Sequence, residues 1–510
     1  MKFKTKIAYT AVLASLGVVA GSAQAAFLSE DGTGQVLLYP YYTVQNGYDT
    51  YVSVVNTTSS AKAVKVRFIE GKASQEVLDF NLYLSAYDVW AGAVTPSTSG
   101  GARLVVTDTS CTAPIISGSV DFRNAQYTGI NDDPYEDDLS RTREGYIEII
   151  EMGALTQDPT VGSNSSPKFA WAVTHDKATG KPHNCQFVSD AFANGTNAAD
   201  LTNFVGSPTG GLFGSATLIN GPQGTDYSYD PVVIDSFMTA ANHTVPGSLQ
   251  PSLNDANPVS VVIQRNVENN SQDVIKTFWT ATGGALPAQV GVAQSGRHAI
   301  SAVLMHKSIF NEYSVEASIN AGTDWVVTFP TKRFHLQTLS SGVFGAWGTS
   351  AELPFTKAPK NALIDVAPLP WTVWRACEKI SAKPYNREEL TSGSIDFSPA
   401  PPSGTTLCYE SNVITFKNSK VLSSALETNL ANVYDSGWLN LSFNDGQKLV
   451  SDITTTTVNG VRVGTGSSVY SGLPAIGFAV EKYVNGNVGG VLSNYGGSFI
   501  HKYARSIVHN

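Results

Sequence analysis

The stretch from Val36 to Val94 constrains the fold more than any other part of the chain. Between Thr50 and Val55, Tyr51 and the valines sit among Thr and Ser, and Asn56-Thr57-Thr58-Ser59-Ser60 supplies turn chemistry. From Ala63 to Ile69, Val64, Val66 and Phe68 fall on one face and Lys65 and Arg67 on the other, the period-two alternation of a half-buried strand. Beyond Glu70-Gly71-Lys72, Leu78, Phe80, Leu82 and Leu84 alternate with Asp79, Asn81 and Tyr83. Strands repeating at roughly eight to twelve residues predict an all-β chain of immunoglobulin-like β-sandwich modules, with long Gly/Pro-rich loops and a few short helices.

The amino terminus reads differently. Lys2, Lys4 and Lys6 precede an apolar run from Ile7 to Ala20 and the small-residue triplet Ala23-Gln24-Ala25, which is the pattern of a bacterial signal peptide over residues 1–25, cut before Ala26. That run is shorter than the roughly 20 apolar residues a bilayer needs, and none like it follows, so a mature chain without a transmembrane helix is expected. No Cys follows the cut, so no lipid anchor is indicated. Without the leader, 30 basic residues face 42 acidic ones, a net charge of −12 that argues against a nucleic-acid partner.

Single cores stop growing beyond about 250 to 300 residues. The sequence divides into an N-terminal β-sandwich domain over 26–190, a loop-rich insertion or connector over 191–258, and a C-terminal β domain over 259–510. Within the middle stretch, Ala216–Asn220 and Asp226–Tyr229 form a hairpin across Gly221-Pro222-Gln223-Gly224. Asp230 then caps a short helix that starts at Pro231 and buries Val233, Ile234, Phe237 and Met238. Further strands are predicted at Phe169–Thr174, Val259–Arg265, Val274–Trp279, Ala299–His306, Tyr313–Ile319, Trp325–Phe329, Trp438–Phe443 and Ala475–Tyr483. Ser424 and Glu427 read as the capping box of a helix carrying Leu426, Leu430 and Val433. Ser117-Gly118-Ser119-Val120-Asp121-Phe122 is echoed by Ser392-Gly393-Ser394-Ile395-Asp396-Phe397, a weak two-fold repeat.

Four cysteines, Cys111, Cys185, Cys377 and Cys408, are an even count for an exported chain and predict two disulfides, with three connectivities open. The acidic run holding Asp132, Asp133, Glu136, Asp137 and Asp138 offers oxygen ligands to Ca²⁺, although its spacing is not that of an EF-hand; a solvated loop is the plainer reading. Otherwise no cofactor is indicated. There is no GxSxG elbow, no HExxH helix and no phosphate-binding glycine loop, so no catalytic residues are assigned and a non-enzyme is expected. His175 and Asp176 are adjacent in a predicted strand, where neighbours point to opposite faces. Trp90, Trp171, Trp279, Trp347, Trp371 and Trp374 are candidates for a sugar-binding platform, against core packing as the alternative.

The segments LLYPYYTV, DTYVSVVNTT, VKVRFIEG, LDFNLYLSAYDVW, TDWVVTFPTKRF and GLPAIGFAVEKYVNG resemble a set of exported bacterial proteins described only as hypothetical or cell-surface proteins. The resemblance implies export to the envelope or beyond. The expectation is a secreted or cell-surface structural or adhesive protein, possible partners being further copies of itself or a surface polysaccharide, at the cell surface, outside the cell or in the periplasm. A secreted carbohydrate-binding or carbohydrate-cleaving protein is the alternative.

Overall fold

The computed structural model describes residues 25–509, apart from 130–132, 134, 157–168, 194–203, 266–271, 280–294, 341–342, 348–352, 356–376, 392–404, 445, 452 and 459–460. Strand makes up 52% and helix 11%, so the fold is all-β. Eight strands form one sheet in the order β1 (Phe27–Leu28), β14 (Val232–Asp235), β2 (Val36–Thr43), β10 (Glu144–Leu155), β4 (Lys62–Glu70), β5 (Glu76–Leu84) and β8 (Cys111–Ala113), with β11 (Val205–Gly206) also on β10. A second sheet runs β13 (Thr225–Tyr229), β12 (Leu212–Asn220), β3 (Tyr48–Asn56), β6 (Val89–Pro96), β7 (Ala102–Val106) and β9 (Gly118–Asp121).

The inward residues of both sheets meet in one core. Leu37, Val64, Val66, Phe80 and Ile149 come from the first sheet, and Val52, Trp90, Leu104, Ala216, Leu218 and Tyr227 from the second. The sandwich is larger than the seven-to-nine-strand immunoglobulin arrangement, and the likeness is that of two packed antiparallel sheets.

The C-terminal half contains a second sandwich. One sheet runs β23 (Thr405–Leu407), β22 (Glu378–Tyr385), β26 (Ser436–Phe443), β18 (Ser308–Ser314) and β34 (Lys502–Ala504). The other runs β25 (Glu427–Leu430), β24 (Ser411–Phe416), β19 (Ala321–Thr328), β32 (Ile476–Val488) and β33 (Val491–Ile500). Trp325, Val327 and Ile414 of this second sheet pack on Ile380, Leu439 and Leu441, while Val326, Val413 and Val480 on its reverse join the N-terminal core. The alternation of one sheet thus serves two cores and fuses the halves. Thr328 Oγ1 donates to Pro40 O at 2.6 Å and Tyr48 to Val421 O at 3.0 Å across the joint. The remaining strands are β15 (Val259–Arg265), β16 (Gln272–Phe278), β28 (Ile453–Val458) and β29 (Val461–Gly466) in one sheet, the pairs β17 (Met305–His306) with β31 (Leu473–Pro474) and β20 (Gln337–Ser340) with β21 (Val343–Trp347), and β27 (Lys448–Val450), β30 (Ser468–Ser471) and β35 (Ile507–His509) in another.

Several local expectations are overturned. Phe169–Thr174 is a helix, α1 (Phe169–Val173), because Phe169 and Val173, four apart, both reach the cluster under Tyr83. Ala299–His306 is mostly helical in α3 (Ser295–Leu304), which follows α2 (Cys185–Ala193); Ala299, Ile300, Val303 and Leu304 have helical spacing and are all buried. The helix expected after Asp230 is the strand β14, whose Val-Val-Ile run extends the sheet beside β2. The helix expected at Ser424 is β25, parallel to β24: Ser424 donates to Glu144 at 2.5 Å and Lys420 holds Glu427 at 2.7 Å, so the capping pair is used elsewhere. Lys332–Leu336, with three basic residues in a row of five, is the buried helix α4. The hairpin of β12 and β13 forms in the expected register, Asn220 opposite Thr225, and with β14 it places strands from the stretch 191–258 in both N-terminal sheets. The second echo motif lies outside the described residues.

His501 is fully enclosed at the C-terminal core, donating from Nε2 to Val326 O at 3.0 Å and packing on Trp325. Burial holds its imidazole down to about 4, so the folded state binds fewer protons than the unfolded chain between that value and 6.5. Stability from this group is intact above pH 6.5 and is lost as pH falls towards 4, by about 3 kcal/mol. Asp324, pushed up to about 6 by burial, works in the opposite sense, so the variant comparison is the informative one. In urea titrations, the loss of stability between pH 6.5 and 4 is expected to be about 3 kcal/mol smaller in His501→Gln than in the parent.

Candidate functional site

Of the acidic run, Asp133, Glu136 and Asp138 are committed to internal partners. Arg141, from the short 3-10 helix Leu139–Arg143, grips Asp133 through Nη1 at 2.7 Å and Nη2 at 2.9 Å, reaches Glu70 at 3.1 Å and lies over the Tyr127 ring. Burial raises the Asp133 carboxyl against the pull of Arg141, whereas Lys72 holds Glu136 below its usual range. Asp138 caps the 3-10 helix by accepting the Ser140 N–H at 2.9 Å, and Ser140 lowers its carboxyl. Asp137 is exposed and its carbonyl accepts from the Asn124 amide at 2.8 Å. Asp132 lies outside the described residues. Among the described residues no group of three or more His, Cys, Asp or Glu side chains is placed to hold a metal ion.

Alternation alone puts Lys65 and Arg67 on a half-exposed face of β4, yet both are fully buried. The segment 244–251 roofs that face. Arg67 Nε meets Glu76 at 2.6 Å, Nη1 donates to Pro251 O at 2.7 Å and Nη2 to Ser248 O at 3.1 Å; Glu148 on β10 stands 3.6 Å away, an ion-pair distance. Lys65 bonds Asp79 and Val245 O, each at 3.2 Å, and Lys62 bonds Glu151 at 2.7 Å. Burial works against the charge of Arg67, but Glu76, Glu148 and Asp79 together hold its guanidinium above the usual range. Burial raises Glu148. At the joint between the halves, Lys332 Nζ donates to Cys408 O at 3.0 Å, and burial pushes Glu410 up to about 7.

Beside this network lies a cleft of about 470 Å³, lined by Glu76–Phe80, Pro114–Ser117, Ser119, Val120, Arg123 and neighbours. It exists because β8 pairs only with Asn81–Tyr83 of β5. At its edge Val77 O, at a bulge in β5, accepts the Arg123 N–H at 2.9 Å. Leu78, Ile116 and Val120 show the apolar core at its wall. Glu76 and Asp79 at its wall are engaged by Arg67 and Lys65.

His175 does not pair with Asp176, which instead accepts the Ala178 and Thr179 N–H groups at 2.9 Å. His175 Nδ1 faces both Ser85 Oγ at 3.2 Å and Asp88 Oδ2 at 3.5 Å. The other ring nitrogen, Nε2, stands 3.5 Å from Thr109 Oγ1. Of the candidate tryptophans, Trp90 and Trp279 are core residues, and Trp171 is partly exposed and stacked on His183. The Trp347 side chain, Trp371 and Trp374 lie outside the described residues. Sequence reading missed an aromatic row across the outer face of the C-terminal sandwich, where Tyr385 stacks on Trp438 at 4.3 Å and Phe310 stands at 6.4 Å.

Among the described residues, the hairpin of β32 and β33 carries several large exposed apolar side chains. Val488 pairs with Val491 across Gly489-Gly490, both at positive φ (62° and 86°), as a tight two-residue turn requires. The arm runs past the end of β19, whose Ala321 pairs with Tyr483. From Val484 to Ile500 there is no charged residue. Val488, Val491 and Tyr495 are 58%, 66% and 60% exposed. One side of β33 is clasped to the N-terminal half by Asn494 Nδ2, which donates to Gln223 O at 2.8 Å, and by Ser498, which donates to Ser228 O.

Cys111 is bonded to Cys185 and Cys377 to Cys408, the sequential pairing. These bridges fit an extracellular or periplasmic protein; among the described residues no helix is long and apolar enough to cross a membrane. No family model, curated protein or solved structure matches the chain. The class defined by fold and surface is an all-β, disulfide-bridged double sandwich.

Proposed function

We propose that this is an exported bacterial structural or adhesive protein, at the cell surface or in the extracellular matrix, that self-associates through the β32–β33 arm. The observation that carries the reading is the charge-free exposed hairpin. Exposed strands in soluble proteins ordinarily carry charges that discourage pairing, and an uncharged apolar arm favours contact with another surface. The signal-peptide pattern and the two disulfides support export. A polysaccharide ligand is the second reading, favoured by the row of Phe310, Trp438 and Tyr385. Purified chain beginning at Ala26 is expected to scatter light in proportion to assembly as its concentration rises, and to release no products from a panel of polysaccharides. Products without assembly would favour the carbohydrate-cleaving alternative.

A further inference from the structure

Ala26, the first residue after the Ala23-Gln24-Ala25 triplet, is fully buried among Val36, Leu38, Ile234, Leu253 and Val262. Its N–H donates to Val259 O and its carbonyl accepts the Val261 N–H, both at 2.8 Å, in a parallel bridge to β15. Phe27 and Leu28 pair antiparallel with Asp235 and Ile234 of β14, and the Ser29 N–H follows with a bond to Val233 O at 3.0 Å. These residues fill a slot with one wall from the eight-stranded sheet of the first half and the other from the first strand of the second half. Backbone bonds fix the segment on both sides, and the enclosed first position admits only a small side chain.

We propose that the slot between β14 and β15 is a strand-acceptor site, that its ligand is an extended apolar peptide with a small first residue, and that the chain supplies this ligand from its own amino terminus after cleavage at Ala25–Ala26. The proposal rests on the export reading. Hydrolysis by a signal peptidase adds one water across that amide, leaving a carboxylate on Ala25 and an ammonium on Ala26, which gives a proton to solvent on docking and donates one N–H of the resulting amine to Val259 O. A protease takes its substrate as an extended strand and needs backbone access on both sides of the bond. Docked Ala26 denies that access, so cleavage precedes docking.

The test compares the chain beginning at Ala26 with one beginning at Ser29, reading hydrogen exchange at the Val261 amide. Exchange is expected to be roughly a hundredfold faster in the shorter chain. Saturating synthetic Ala-Phe-Leu amide restores protection, and the same peptide with tryptophan first does not. Ala26→Trp in the longer chain serves if the shorter one fails to fold, and should show the same loss at Val261 with the sandwich cores still protected. Equal protection in the variant chains, or no response to the peptide, overturns the acceptor site. Amino-terminal sequencing of exported protein tests the processing separately: a start other than Ala26 overturns the export step while the peptide response still reports on the slot.

Discussion

Arg67→Ala is expected to lower the unfolding free energy by about 3 to 5 kcal/mol in urea at pH 7. The substitution leaves the buried Glu76 and Glu148 carboxylates without the Arg67 guanidinium, and strips the Ser248 and Pro251 carbonyls of their donor. Each loss is an uncompensated buried polar group, and for a charge the penalty is largest. Replacing the group as a set, with Arg67→Met, Glu76→Leu and Glu148→Leu together, should recover most of the loss, because burying an ion cluster returns little net stability over apolar packing. A single substitution that costs under about 1 kcal/mol would show that water reaches this face and that the roof is open.

Removing the Cys111–Cys185 bridge, as Cys111→Ala with Cys185→Ala, should cost about 4 kcal/mol on loop-closure entropy. The bridge spans 74 residues, against 31 for Cys377–Cys408, so the second bridge should matter slightly less. The effect should also be local. Cys185 opens α2, and Cys111 lies under Val173, Val188 and Ala191, so the two small helices depend on it for their seat on β8. Limited proteolysis should cut first around α1 and α2 in the variant, with the sandwich strands still resistant.

The strands are legible where one face is apolar and the other polar, as in β4 and β5, whose limits fall within a residue of the alternation. Alternation could not say what the polar face meets. Lys65 and Arg67 look like solvent-facing residues from their own strand, and the distant segment 244–251 that roofs the face, with Asp79 and Glu148 opposite Arg67 in the sheet, makes them interior. Helix α3 reads as a strand because its neighbours enclose it on several sides, which removes the polar stripe that would have marked its period. Val232–Asp235 and Glu427–Leu430 carry helix-start signals that tertiary pairing outweighs. For the site, the uncharged stretch from Val484 to Ile500 is present in the sequence, while its exposure depends on how far β32 and β33 outrun β19. The burial of Ala26 has no local signal at all, since its partners on β15 lie far along the chain, at Val259 and Val261.

The most direct test of self-association through the arm is sedimentation of the chain beginning at Ala26 beside its Val491→Lys, Tyr495→Lys variant over a range of concentrations. Both substituted side chains are exposed, so the fold should be unchanged by circular dichroism. The parent is expected to assemble at a concentration roughly tenfold or more below that needed by the variant. Identical assembly of the two, or a parent that stays monomeric throughout, would contradict the account.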